Sequence, residues 1–151
     1  MSGFDWTKSR FEKAEESPGL LLWQVSSQWR RSIEKALEPF DLTHPQFVAL
    51  ASVAWLGRRG RPISQADVAR HMKLDVNTAS QILRFLERKG LIERKRSPDE
   101  RVRSPVLTEA GIDRLGRSLP AVETADRHFF GRMERELPDL VRSLRTLLRE
   151  E

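Results

Sequence analysis

Apolar side chains recur along most of this chain at steps of three and four, the spacing of one face of an α-helix. Leu22, Val25, Trp29, Ile33 and Leu37 form the first such stripe. Ser17-Pro18 ahead of it reads as a helix start, serine as N-cap and proline in the first helical position. Pro39 ends the helix near Glu38, because the residue before a proline is steered away from helical geometry. The residues ahead of Ser17 are polar and mixed and predict loose order.

Leu42-Thr43-His44-Pro45-Gln46-Phe47 opens a second helix that Thr43 can cap. Phe47, Leu50, Val53, Ala54 and Leu56 give it apolar contacts, and it stops around Gly57 before a Gly- and Pro-containing loop. Ser64-Gln65-Ala66-Asp67 is a capping-box-like start, with Asp in place of the usual Glu. Its short helix carries Val68, Ala69 and Met72. Lys73-Leu74 is a brief break, and Asp75 caps a helix that runs to Lys89 and ends at Gly90. Ala79, Ile82, Leu83 and Leu86 form its apolar stripe; Thr78, Ser80, Gln81, Arg84, Glu87 and Arg88 are assigned to the other side.

Leu91 to Arg94 reads as a short strand, Arg96 to Arg101 as a turn-rich tip, and Val102 to Leu107 as the returning strand. Pro105 cannot donate to a ladder, so it belongs on an open edge or at an irregularity. A long helical region starts at Thr108. Leu115, Leu119, Val122, Ala125, Phe129, Met133 and Leu137 keep helical spacing within it, Pro120 predicts a kink or break, and Pro138 a second boundary. Leu140, Leu144, Leu147 and Leu148 share one face of a last helix over 139–151. The fold class that results is mainly α with one small β-hairpin.

Composition narrows the function. The chain has 151 residues, room for about one domain. Apolar residues are 38% and charged residues 32%, which predicts a thin core or an apolar surface completed by a partner. The absence of cysteine excludes disulfides, zinc fingers and thiol switches. No apolar run is long enough to span a membrane and Met1 to Arg10 lacks a signal-like apolar region, so the expectation is a cytoplasmic protein with no membrane partner. His44, His71 and His128 fit no metal-ligand spacing, and no nucleophile–base pair or phosphate-cradling loop suggests an enzyme or a cofactor.

Charge is unevenly placed. Residues 76–108 carry 8 basic and 4 acidic side chains, while residues 109–151 carry 8 and 9. A basic patch between balanced flanks is the footprint of a nucleic-acid reader. Helix, break, helix and basic hairpin make a winged helix-turn-helix. The second helix of such a unit lies in the major groove of duplex DNA. Its candidate base- or phosphate-contacting residues are Asn77, Thr78, Ser80, Gln81 and Arg84: amides and guanidinium groups can pair bidentately with purines. In the hairpin, Arg94, Arg96, Arg101 and Arg103 suit phosphates or the minor groove, with Glu93 and Asp99 or Glu100 orienting them.

Four segments resemble the MarR (multiple antibiotic resistance regulator) family of winged-helix transcriptional regulators: Leu42 to Phe47; Ser64 to Ala69 with Leu74-Asp75; Asn77 to Ile92; and Asp99-Glu100-Arg101 with Leu107 to Gly111. The resemblance covers residues 18–150; it departs in a hairpin one residue shorter than usual between Arg94 and Asp99 and in Pro105. It implies a single domain over 1–151, with a DNA-binding winged helix over about 43–108 and dimerisation helices over about 17–39 and 109–151. It further implies a homodimeric, ligand-responsive repressor on a pseudo-palindromic operator, with Leu21, Leu22, Val25, Trp29, Phe129, Leu140, Leu144, Leu147 and Leu148 in the dimer core. A small anionic aromatic ligand would meet Trp23, Trp29, Arg30 and Trp55. The rival readings are a winged-helix module that binds another protein, and a nonspecific DNA binder.

Overall fold

The computed structural model describes residues 3–96 and 103–148. Its elements are α1 (Pro18–Leu37), α2 (His44–Gly57), α3 (Gln65–Met72), α4 (Val76–Arg88), β1 (Ile92–Arg96), β2 (Arg103–Leu107), α5 (Glu109–Phe130) and α6 (Leu137–Leu147). Short 3-10 turns lie at Trp6–Lys8, Ala14–Glu16, Glu38–Phe40 and Gly131–Met133, so the segment before Ser17 has more regular structure than its polarity suggests.

Side-chain oxygens start α1 to α5 by accepting from otherwise orphaned amides. Ser17 Oγ accepts from Leu20 N at 3.2 Å, and Thr108 Oγ1 from Gly111 N at 3.1 Å. Thr43 and Gln46 form a full capping box, as do Ser64 and Asp67. The side-chain amide of Gln46 completes a box in which sequence reasoning points only to Thr43.

Ile33 and Leu37 from α1, Leu50 and Val53 from α2, Val68 from α3, Leu83 and Leu86 from α4, Leu91, Ile92, and Val122 from α5 make one contiguous core. Two polar ties orient the helices around it. Lys89 Nζ donates to the Asp41 carbonyl (2.6 Å) and to Gln46 Oε1 (3.3 Å), holding the end of α4 to the start of α2. Arg114 Nη1 donates to the Phe40 carbonyl at 3.0 Å, fixing α5 against the α1–α2 corner.

The hairpin pairs antiparallel from Ile92↔Leu107 to Arg96↔Arg103, and the register runs unbroken through Arg94↔Pro105. Both strands of a two-stranded sheet are edges, so proline fits without a bulge. Gly111 follows the hairpin because α5 begins against backbone: a Cβ there would collide with the carbonyl oxygen of Leu91.

In the C-terminal region the expected boundary at Pro138 is present, and a break at Pro120 is not. α5 continues through Pro120 and ends at Phe130, so Met133 and Leu137 do not extend its stripe. Pro120 withholds one amide, from Gly116, which a 22-residue helix tolerates. Pro138 sits in the first turn of α6, where its missing N–H costs nothing.

Two apolar surfaces stay uncovered. The N-terminal half of α1 exposes Leu21, Leu22 and Val25, with Leu22 at 57%. Helix α6 has no buried residue, and Leu147 is 71% exposed. Trp29, Phe129 and Leu140 are half-buried. No helix of the described residues is long and apolar enough to cross a membrane.

Candidate nucleic-acid interface

Helices α3 and α4 are joined by a tight turn. Lys73 adopts a left-handed conformation (φ 57°), and Leu74 N donates to the Ala69 carbonyl at 3.0 Å, closing α3. Asp75 then starts α4: its carboxylate accepts from Thr78 N (2.9 Å) and Thr78 Oγ1 (2.6 Å). The Thr78 hydroxyl, and next its amide, hold the Asp75 carboxyl below its ordinary pKa. The Thr78 hydroxyl proton is thus committed to the cap, leaving its oxygen as an acceptor.

Asn77, Thr78, Gln81 and Arg84 are all exposed on α4. Asn77, Gln81 and Arg84, at steps of four and three, share a face. Gln81, Arg84, Glu87 and Arg88 line one shallow depression on the helix. Arg88 is not among the candidates chosen from sequence, although its spacing of seven from Gln81 places it along the same side of the helix. Arg88 also lies over the Phe85 ring, its guanidinium carbon 5.3 Å from the centroid.

Ser80 does not belong to the exposed face, contrary to the expectation from sequence. It is only 6% exposed, because it lies three residues before Leu83, on the flank of the apolar stripe. Its Oγ accepts from Arg84 Nη2 at 3.0 Å. Ser80 therefore orients Arg84 from beneath.

The hairpin arginines divide. Arg94 turns inward, its side chain 17% exposed, with Nε 3.3 Å from Glu87 Oε2 and Nη1 3.2 Å from Gln65 Oε1. It brackets β1 to the start of α3 and the end of α4. Its partners are Glu87 and Gln65, neither of which sequence reasoning selects for that role, whereas Glu93 pairs at 3.9 Å with exposed Lys95. Arg96 and Arg103 are exposed and directly opposite each other. Arg101, with Asp99 and Glu100, lies outside the described residues.

The four candidate ligand residues are not gathered together. Trp29 Nε1 donates to Asp126 Oδ1 on α5 at 2.7 Å, and its ring meets His44 edge-on at 5.0 Å. Arg30 is exposed on the same helix and acts on His44, whose pKa is lowered chiefly by burial. Trp23 is exposed on α1. Trp55 is elsewhere, on α2, under the Arg58 guanidinium at 3.7 Å. His44, His71 and His128 stand on three different helices.

Comparison with known proteins places this geometry. Residues 42–102 match the MarR family. The HTH-type transcriptional regulator YdcH of Bacillus subtilis is 39% identical over 145 residues, 95% of this chain and 97% of its own length. The HTH-type transcriptional repressor Rv2887 of Mycobacterium tuberculosis is 32% identical over 113 residues, 74% of this chain and 68% of its own. Rv2887 solved with DNA superimposes with a TM-score of 0.64 at 28% identity, over 85% of this chain and 97% of that one. Rv2887 solved with salicylic acid gives 0.67 at 28% identity, over 88% and 98%. BpsR of Bordetella bronchiseptica shares the fold, with a TM-score of 0.81 at 22% identity over 93% and 99%. The match of residues 42–102, the 39% identity with YdcH over nearly its whole length and the winged helix-turn-helix fold together make this chain a member of the MarR family of HTH-type transcriptional regulators.

Proposed function

We propose that the protein is a sequence-specific, ligand-responsive repressor that binds a pseudo-palindromic DNA operator as a homodimer. The exposed polar face of α4 carries this reading: Asn77, Thr78, Gln81 and Arg84 stand outward together, and Arg84 is oriented by Ser80. Amide and guanidinium groups so held match purine edges in the major groove. Arg96 and Arg103 supply phosphate contacts beside it, and Arg94 holds the hairpin to α3 and α4. DNA binding and repression are favoured by the name and DNA complex of Rv2887.

The exposed leucines of α1 and α6 favour the dimer, since contiguous exposed apolar surface marks an interaction site. Two copies would set paired α4 helices about one DNA turn apart, ~34–36 Å. The ligand response draws on Trp29 and Arg30, where α1 meets His44 of α2, and on the salicylic acid complex of Rv2887. A ligand there acts only through different affinities for the DNA-competent and DNA-incompetent states.

Sedimentation of the protein alone and with a duplex tests the reading. The expected species are a dimer and one dimer per operator. Leu144→Glu with Leu147→Glu should give monomers that bind the duplex far more weakly. A parent protein that sediments as a monomer at micromolar concentration, or ignores duplex DNA at low salt, overturns the reading.

A further inference from the structure

The loop between α2 and α3 gathers positive charge away from the reading face of α4. Residues 58–70 hold Arg58, Arg59, Arg61 and Arg70 against one acid, Asp67. Asp67 is already engaged, its carboxylate accepting from Ser64 N at 2.7 Å and from Arg70 Nη1 at 3.2 Å. Arg59 and Arg61 are exposed and make no ion pair among the described residues. Arg58 lies over the exposed Trp55 ring at 3.7 Å, and its Nη1 donates to the Trp55 carbonyl at 2.6 Å. These two contacts fix a guanidinium group at the surface. None of these arginines lines the depression that holds Gln81 and Arg84.

Backbone bonds hold the loop in place beside the hairpin. Gly60 takes a left-handed conformation (φ 74°), and its N–H donates to the Gly57 carbonyl at 3.0 Å, closing the turn. Ile63 N then donates to the buried Ser104 Oγ at 2.9 Å, which ties the exit of the loop to β2. Arg61 accordingly lines one cleft with Lys95 and Arg96 of β1, and a second depression with Arg70 of α3. Exposed cations therefore continue from the hairpin across the loop to α3. A polyanion that already lies on the hairpin, the phosphate backbone of a duplex, is the partner such a continuation fits.

We infer that the α2–α3 loop is a second phosphate-contacting surface, which engages the DNA duplex beyond the outer edge of each half-site and draws it toward Arg58, Arg59 and Arg61. The inference rests on the operator-binding reading, because the duplex must first lie on the hairpin. Bending the flanks costs elastic energy, and the added arginine–phosphate contacts offset it. Phosphate contacts carry no sequence information, so the loop adds affinity and footprint length and leaves base preference to α4.

The probes are two duplexes carrying the inverted repeat that the full chain selects from a random pool. One ends at the half-site edges, and the other has about ten more base pairs, one helical turn, on each side. At matched salt the full chain binds the longer duplex about tenfold more tightly, and the slope of log affinity against log salt steepens by about 0.9 for each added phosphate contact. Scrambling the added base pairs leaves the gain unchanged. Arg58→Gln combined with Arg59→Gln and Arg61→Gln keeps the parent's melting temperature, binds the shorter duplex as the parent does, and loses the gain. Energy transfer between dyes at the two ends of the longer duplex rises with the parent and not with the triple variant. Equal affinity of the parent for both duplexes overturns the inference and leaves the operator reading standing, and so does a gain that survives in the triple variant. A parent that binds neither duplex overturns both. Poly-L-glutamate held by the parent and not by the triple variant, with no gain from the flanks, assigns the loop to an acidic protein partner and overturns the inference.

Discussion

Arg96 and Arg103 face each other as direct cross-strand partners at the outer end of the described hairpin, both exposed. Like charges in this position repel, at a cost of about 0.2–1 kcal/mol. A phosphate between them would turn that cost into attraction. Arg103→Glu should therefore raise the stability of the free protein by a few tenths of a kcal/mol. It should also weaken duplex binding and flatten the plot of log affinity against log salt, by about 0.9 for each phosphate the variant no longer neutralises. Thermal melts and a salt series of binding titrations check both signs.

Gln81 and Arg84 are exposed, while Ser80 lies beneath Arg84. Gln81→Ala and Arg84→Ala should each relax base preference at one position of the operator by about 1–3 kcal/mol. Ser80→Ala should leave the preferred base unchanged at the Gln81 position and reduce discrimination at the Arg84 position. Competition binding with single-base operator variants measures each effect.

Gly111 is where α5 starts against the Leu91 carbonyl. Gly111→Ala must push α5 away from the hairpin root, a packing strain of about 1–3 kcal/mol. Gly116, further along the same helix, has open space for a Cβ, and Gly116→Ala should stabilise, by up to about 1 kcal/mol. Denaturant unfolding of the pair separates local crowding from a general effect of alanine.

His44 is half-buried between Trp29 and the charges of Arg30, Glu34 and Asp126. Burial lowers its pKa from the ordinary 6.5, Glu34 and Asp126 oppose this, and Arg30 adds to it. The unfolded chain then binds the proton more readily than the folded one, so the full contribution is present above pH 6.5 and declines as pH falls below it. Melting temperature should drop between about pH 7 and pH 5, and His44→Gln should flatten that part of the profile. A parent profile that is level across this range, or one that His44→Gln leaves unchanged, contradicts the assignment.

Much of this molecule is legible in its sequence because helix starts are local chemistry. Ser17, Thr43, Ser64, Asp75 and Thr108 each cap the helix that follows, as short-range spacing predicts. At Pro120 the local pattern leaves kink and break as alternatives, and α5 running on to Phe130 excludes the break; the packing of α5 against α1 that favours one continuous helix lies beyond any local pattern. Ser80 misleads because a small hydroxyl residue fits either side of a stripe boundary, and only the Arg84 bond distinguishes them. The inward turn of Arg94 depends on Gln65, 29 residues away, a pairing that exists only once the hairpin has docked.

Selection of bound duplexes from a random pool by the full chain decides whether paired α4 helices read DNA. The expected product is an inverted repeat with half-site centres about 10 base pairs apart, the spacing of one helical turn. Mutation of Gln81 or Arg84 should alter the repeat symmetrically in both halves. A pool that stays random through successive rounds, or converges on an unrepeated motif, contradicts a twofold reader.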